Sequence, residues 1–173
     1  MVEESNLKYW RDAGHVARRT LEAMKDELQP GKTFHEIIES AERFIHRHGG
    51  KPAFPGTIAV NDMAAHFTTN HQIEAVEGWD GEAVLQKGDC VKIDFGVHIK
   101  GHIGDNALTL EIGNSNEHTE QIKAAREARD AAIEMLHPGT PWYKVGQAAA
   151  QPSLDAGFQP IRNLCGHQLK PWE

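Results

Sequence analysis

The sequence predicts an α+β fold made of one complete unit and part of a second, related unit. Two segments with helical apolar periodicity precede a pair of segments in which apolar and polar residues alternate. A helix, a Pro-Gly pair and a second helix then occur again further along the chain at a constant offset. A fold with a duplicated helical unit and an antiparallel hairpin accounts for all three observations.

The first unit begins with two predicted helices. Helix one spans roughly 7–28 and ends at a Pro-Gly pair. Helix two opens at Thr33, and Glu36 three residues later completes the capping-box pattern that starts many helices. It carries apolar residues at helical spacing and ends at Gly49, a residue type common just past a helix C-terminus.

The stretch IDFGVHIKGHIGDN predicts a tight hairpin. Apolar residues alternate from Val91 to Ile99, which is typical of a strand with one buried face. The return strand, 105–112, alternates in the same way. Lys100 and Gly101 are the expected turn residues, because glycine accepts the positive φ that two-residue hairpin turns require.

The hairpin carries one aspartate on each strand. With Lys100 and Gly101 in the turn, paired residue numbers sum to 201, so Asp94 faces Ala107 and Asp105 is its diagonal neighbour on the same face. Diagonal neighbours lie about 7–8 Å apart, and two carboxylates at that spacing can share one or two metal ions. A turn one residue longer would put the acids on opposite faces. The alternative is that both acids lie on the solvated face of an amphipathic hairpin.

The second unit repeats the helical plan. Helix three is predicted over roughly 117–136, and Thr140 is the expected N-cap of helix four, with Pro141 at its first position. Helix four ends near Gly157, and Pro152 predicts that it is kinked or short. The punctuation of the two units recurs at an offset of 108 residues in three pairs: Pro30 and Pro138, Gly49 and Gly157, Pro52 and Pro160.

The duplication predicts two repeats, at about 7–112 and 116–173, within a single domain. A second hairpin would lie near residue 198, beyond the 173 residues of the chain. The sequence is therefore expected to be incomplete at its C-terminus.

Composition restricts the classes of partner. The formal net charge is −7 and no Lys/Arg cluster is present, so no nucleic-acid footprint is expected. The start, MVEESNLKYW, has no apolar signal core, and no run approaches membrane-spanning length. The cytoplasm is the expected compartment, and two cysteines are too few for a disulfide scaffold.

Two of the eleven histidines stand out. His66 lies in an uncharged stretch between predicted strands, where a buried neutral imidazole can donate to a substrate carbonyl or accept a proton. His167 follows a glycine in the tail NLCGHQLKPWE. A lone histidine there is more often a surface or core residue than a ligand, although imidazole would complement two aspartates around a divalent ion.

Three stretches together resemble a known family: KPAFPGTIAVNDMAAHFT, GDCVKIDFGVHIKGHIGDNALTL and GFQPIRNLCGHQL. They are similar to consecutive blocks of the archaeal and type II methionine aminopeptidases, and the resemblance covers nearly the whole chain. It implies the pita-bread fold, two related α/β halves around a dinuclear metal centre. It also implies removal of the N-terminal methionine from peptides or nascent proteins, with the ribosome as a transient partner.

The resemblance assigns roles residue by residue. Asp94 would be the terminal, chelating carboxylate, Asp105 would bridge both metals and His167 would bind one of them. His66 would contact the scissile peptide, and Phe54 would form a wall of the pocket for the methionine side chain. Two divalent ions (Co, Mn, Fe or Zn) would lower the pKa of a water that attacks the first peptide carbonyl.

The chain also departs from the family pattern. The family's two glutamate ligands have no counterpart, and Glu173 matches neither. Three of five expected ligands remain, so the chain alone is expected to be an incomplete metal site. Two alternatives stay open: a non-catalytic binding module on the same fold, whose relatives typically lose the metal acids, and a peptidase of the Xaa-Pro type, whose relatives usually carry a domain before the catalytic one.

Overall fold

The computed structural model describes residues 6–69, 83–113 and 115–173. The chain divides into two compact units. The first contains the residues up to Ser115 together with 168–173, and the second contains 116–167. The repeat boundaries expected at 7–112 and 116–173 stay a prediction. No helix in the described part of the chain is long and apolar enough to cross a membrane.

Two helices open the first unit, α1 (Leu7–Met24) and α2 (Phe34–Arg47). The predicted capping box is confirmed: the Glu36 N–H donates to the Thr33 hydroxyl at 3.1 Å, and the Thr33 N–H donates to the Glu36 carboxylate at 2.9 Å. Helix α1 ends four residues before the predicted position. Leu28 lies just beyond the turn that follows the helix yet is only 3% exposed, so the apolar periodicity continued past the end of the helix.

Four strands form one antiparallel sheet: β1 (Lys51–Pro52), β2 (Thr57–Val60), β3 (Cys90–Ile99) and β4 (His102–Glu111). Strand β3 is central. Strand β4 pairs with it along its whole length, β2 pairs with its first half and β1 pairs with Val97 and His98 near its end. The backbone of β3 is therefore hydrogen-bonded to neighbouring strands on both edges, which fixes the position of the residues it carries.

The predicted register of the hairpin is confirmed. Ile99 pairs with His102, Asp94 pairs with Ala107 and Gly96 pairs with Asp105. Lys100 and Gly101 form the turn with φ values of 50° and 82°, as a two-residue turn with both residues in the left-handed region requires. Asp94 and Asp105 are therefore diagonal neighbours on one face.

Helices α1 and α2 bury the opposite, apolar face of β3. Their apolar side chains form one core with four alternating residues of that strand: Val91, Ile93, Phe95 and Val97. Helix α1 approaches the sheet closely at β4, because a Cβ on Gly104 would lie 2.6 Å from the Gly14 backbone nitrogen. With the apolar face covered by helices, the chemistry of the hairpin is confined to the face that carries the aspartates.

The second unit consists mainly of α3 (Thr119–Met135) and α4 (Trp142–Asp155), which pack against each other. One prediction about α4 is corrected. Its N-cap is Pro141, whose backbone is extended at ψ 136°, and not Thr140, whose N–H instead closes a turn on the His137 carbonyl at 3.0 Å. Of the two effects expected from Pro152, shortening does not occur, since the helix continues through Pro152 to Asp155; a kink stays a prediction.

The helical repeat is visible in the element boundaries. Helix α4 begins and ends 108 residues after α2 (142 − 34 and 155 − 47), and both have 14 residues. The glycines that follow the helices also correspond in φ: Gly31 at 87° and Gly139 at 88°, and Gly49 and Gly157 both at 81°. The same chain turns at the same offsets support an internal duplication of the helix pair.

Candidate metal and peptide site

Asp94 lies in the middle of β3, with a small residue on each side. Thr57 of β2 pairs with it on one edge and Ala107 of β4 on the other. Neither neighbour carries a charge, and the Asp94 side chain is half-buried. Its Oδ1 atom is buried and has no hydrogen-bond partner among the described residues. A buried carboxylate oxygen without a partner is costly unless some other group completes it.

The surroundings of Asp94 act on its protonation in two directions. Burial raises the pKa of the Asp94 carboxyl, and the adjacent Asp105 carboxyl raises it further through its charge and through a hydrogen bond. The positive charges of Lys92 and His66 lower the same pKa, but the net direction is upward. A half-buried acid whose pKa is raised by a second acid beside it indicates a place where the negative charge is not fully balanced by the protein.

This arrangement fits a divalent cation. Oxygen ligands from carboxylates suit hard and borderline divalent ions. A bound cation would give the Asp94 Oδ1 atom a partner and would relieve the repulsion between Asp94 and Asp105. No group of three or more His, Cys, Asp or Glu side chains is assembled within 6–69, 83–113 and 115–173. The structure therefore brings together two of the three predicted ligands.

His66 lies in the loop that follows β2, near enough to Asp94 for its charge to act on that carboxyl. The prediction that it lies between strands is confirmed, but the expected burial is wrong, because the side chain is exposed. Its backbone has φ 66°, in the left-handed region that a residue with a Cβ enters at some cost. The loop therefore holds His66 close to the Asp94 carboxyl.

Phe54 lies on the face of the sheet that carries the aspartates. A Cβ on Gly96 would overlap the Phe54 ring, so the ring covers this glycine. Gly96 has the same strand parity as Asp94 and pairs directly with Asp105. The half-buried Phe54 ring is thus an apolar side chain next to the two acids, and its role as a wall of the methionine pocket stays a prediction.

His167 is the last residue of the second unit, and its side chain is exposed. The segment around it forms no regular element, since 158–170 contains neither helix nor strand. The apolar positions Ile161 and Leu164 are themselves exposed. Its role as a ligand stays a prediction.

Two residues of the site were not assigned from the sequence. Lys92 donates to the Ala64 carbonyl at 2.7 Å, and Gly96 leaves the space that Phe54 fills. Strand parity placed both on the Asp94 face, and a glycine inside a strand is itself a signal of close approach by another group. The partner of Lys92 is 28 residues away and has no such signal.

Comparison with known proteins places the chain in a family. The family described as "Metallopeptidase family M24" matches residues 8–170 of this chain. A methionine aminopeptidase from Archaeoglobus fulgidus is 37% identical over 161 residues, which cover 93% of this chain and 52% of that protein. One from Methanothermus fervidus is 33% identical over 180 residues, which cover 98% of this chain and 89% of that protein. The chain spans about half the length of several archaeal relatives.

The fold is shared with solved structures. The crystal structure of a methionine aminopeptidase from Thermotoga maritima superposes with a TM-score of 0.83 at 26% identity, covering 97% of this chain and 67% of that chain. The expected pita-bread fold is confirmed by this likeness. The chain therefore belongs to metallopeptidase family M24, as a relative of the archaeal methionine aminopeptidases.

Proposed function

We propose that the protein is a metal-dependent aminopeptidase that hydrolyses the first peptide bond of chains beginning with methionine. The observation that carries the proposal is the buried, unpartnered Oδ1 of Asp94 beside Asp105, on the sheet face that also holds Phe54, with His66 near enough for its charge to act on Asp94. An acidic site of this kind next to an apolar ring suits a free amino terminus followed by an apolar side chain.

The residues of the chain take distinct roles in this proposal. Asp94 and Asp105 would hold divalent ions, and His167 would contribute an imidazole ligand. Bound divalent ions supply a water of lowered pKa and a positive charge that polarises the peptide carbonyl. His66 is exposed and can donate to the carbonyl oxygen or to the departing nitrogen of the substrate. The Phe54 ring contacts the methionine side chain and excludes water from it.

The number and identity of the ions belong to the proposal too. We infer two ions of Co, Mn, Fe or Zn. Since no glutamate of the 173 residues matches the family's remaining two ligands, these residues alone are expected to bind metal more weakly than a five-ligand site. The proposed substrates are nascent proteins in the cytoplasm, met transiently at the ribosome.

The test is release of methionine from a Met-Ala-Ser peptide by the chain loaded with Co²⁺ or Mn²⁺, alongside calorimetry of metal binding. Because three of the five expected ligands are present, we expect slow metal-dependent release that is abolished by a chelator and by Asp94→Asn. Cleavage of an Xaa-Pro peptide but not of Met-Ala-Ser would assign the chain to the Xaa-Pro type instead. Peptide binding that a chelator leaves unchanged, with no metal binding by calorimetry, would indicate a binding module and contradict the proposal.

A further inference from the structure

Lys92 links the site strand to the loop that carries His66. It lies two residues before Asp94 on β3, so its side chain emerges on the same face of the sheet. Its ammonium donates to the backbone carbonyl of Ala64 at 2.7 Å, across 28 residues of sequence. This charge-assisted hydrogen bond reaches the loop two residues before His66.

The other side of His66 is anchored by β2. The Ile58 N–H donates to the Phe67 carbonyl at 2.9 Å, and the Thr68 hydroxyl donates to the Gly56 carbonyl at 2.7 Å. His66 therefore lies between two fixed points, with Lys92 on the N-terminal side and β2 on the C-terminal side. A residue with a Cβ keeps a left-handed backbone only when its surroundings hold it there, and the φ of 66° at His66 is such a case.

We propose that Lys92 is a positioning residue, whose hydrogen bond to the Ala64 carbonyl fixes the loop that presents His66 to Asp94 and to the substrate carbonyl. This inference rests on the proposed function for the role of His66, but the effect of Lys92 on the loop does not. The alternative is that Lys92 lies on a solvated face and contacts the loop without ordering it. The two hypotheses differ in what happens to the loop when the lysine donor is removed.

The side chain of Lys92 suits this role. Its half-buried stem spans the distance from the sheet face to the loop, and its ammonium has three donors and no acceptor. Arginine keeps both length and donors, whereas methionine keeps a similar stem and loses the donor. Loss of one charge-assisted hydrogen bond typically changes a local equilibrium by about tenfold or more.

The direct test measures loop order by ¹⁵N relaxation in the whole chain. For Lys92→Met we expect the order parameters of residues 64–66 to fall from about 0.85, typical of rigid backbone, to below about 0.6. The amides of α1, α2 and β3 should keep their values. Lys92→Arg should restore the loop, and Lys51→Met, which removes an exposed lysine of β1 in the same sheet, should leave it unchanged. Lys92→Gln replaces Lys92→Met if the latter does not fold.

The kinetic test uses the same variants on the Met-Ala-Ser peptide. We expect kcat to fall about tenfold in Lys92→Met while KM stays within about twofold, because Phe54 and the acids still bind the substrate. Lys92→Arg should recover kcat. Unchanged loop order in Lys92→Met, or loss of order throughout the first unit, would overturn the inference. If wild-type chain orders the loop through Lys92 yet never cleaves the peptide, the proposed function fails while the positioning role stands.

Discussion

Replacing Asp94 with asparagine should stabilise the metal-free protein while removing its response to metal. In the native chain, burial and the Asp105 carboxyl disfavour the ionised form of Asp94 more strongly than Lys92 and His66 favour it, since the net shift of its pKa is upward. Asparagine removes the negative charge, and its amide can donate to Asp105. A group of metal ligands is expected to reduce the stability of the metal-free protein when the ligands are arranged for a bound metal.

The magnitude follows from the buried negative charge beside Asp105, which asparagine removes. A buried polar group with incomplete partners costs about 1–3 kcal/mol, and Asp94 is only half-buried, so a gain of about 1 kcal/mol is the appropriate estimate. For a domain of this size that corresponds to a rise in Tm of about 4 °C. Metal at a hundredfold excess over its Kd would stabilise the wild-type chain by about 2.7 kcal/mol, and the variant should lose most of that.

The assay is thermal denaturation of wild type and Asp94→Asn, each with chelator and with Mn²⁺. Asp89→Asn is a matched control, because the Asp89 carboxylate accepts from the Gln86 N–H at 2.7 Å and from the Asn61 amide at 2.9 Å. That variant should melt lower and keep its metal response. A chelated Asp94→Asn protein that melts below wild type, or one that Mn²⁺ stabilises as much as wild type, would refute the reasoning.

Three further predictions concern the same sheet. Gly96→Ala should displace the Phe54 ring and raise KM for Met-Ala-Ser about tenfold or more, since loss of apolar contact of this size is worth about 1–3 kcal/mol. Calorimetry should show that the variant binds metal with an affinity within about twofold of wild type. Equal KM values for the variant and wild type would contradict the position of Phe54. Gly104→Ala should destabilise the first unit by about 1–3 kcal/mol in urea titration, because its methyl group must push α1 away from β4 at Gly14, whereas Gly166→Ala, with open space around it, should not. Finally, the pKa of Asp94 is raised in the folded protein, so its contribution to metal-free stability is greatest below its ordinary value of 3.8 and is lost as pH rises through the raised pKa. The stability gap between Asp94→Asn and wild type should therefore widen with increasing pH in denaturant titrations with chelator, and a constant gap would count against the shift.

The hairpin could be predicted from sequence because two independent local signals agree. The alternation of apolar residues fixes the face, and Lys100 and Gly101 fix the turn; a slip of one residue would have moved every side chain to the other face. The capping box at Thr33 is similarly local. Both signals depend on residues within a few positions of one another, and both were confirmed.

The parts that failed depend on tertiary context. Leu28 is buried although it lies in the loop after the helix, and apolar periodicity cannot distinguish the two positions. The exposure of His66 depends on how its loop crosses the sheet, and the contact of Lys92 with Ala64 joins residues far apart in sequence. Local pattern therefore placed the acids, and long-range contacts determined what surrounds them.

Calorimetric titration of Co²⁺ or Mn²⁺ into the wild-type chain and into Asp94→Asn and Asp105→Asn tests the central claim most directly. If the two acids are joint ligands of the metal, wild type should bind it saturably, and each variant should lose about a hundredfold or more in affinity. Binding of equal affinity in all three proteins would contradict the assignment of the metal site to these two carboxylates.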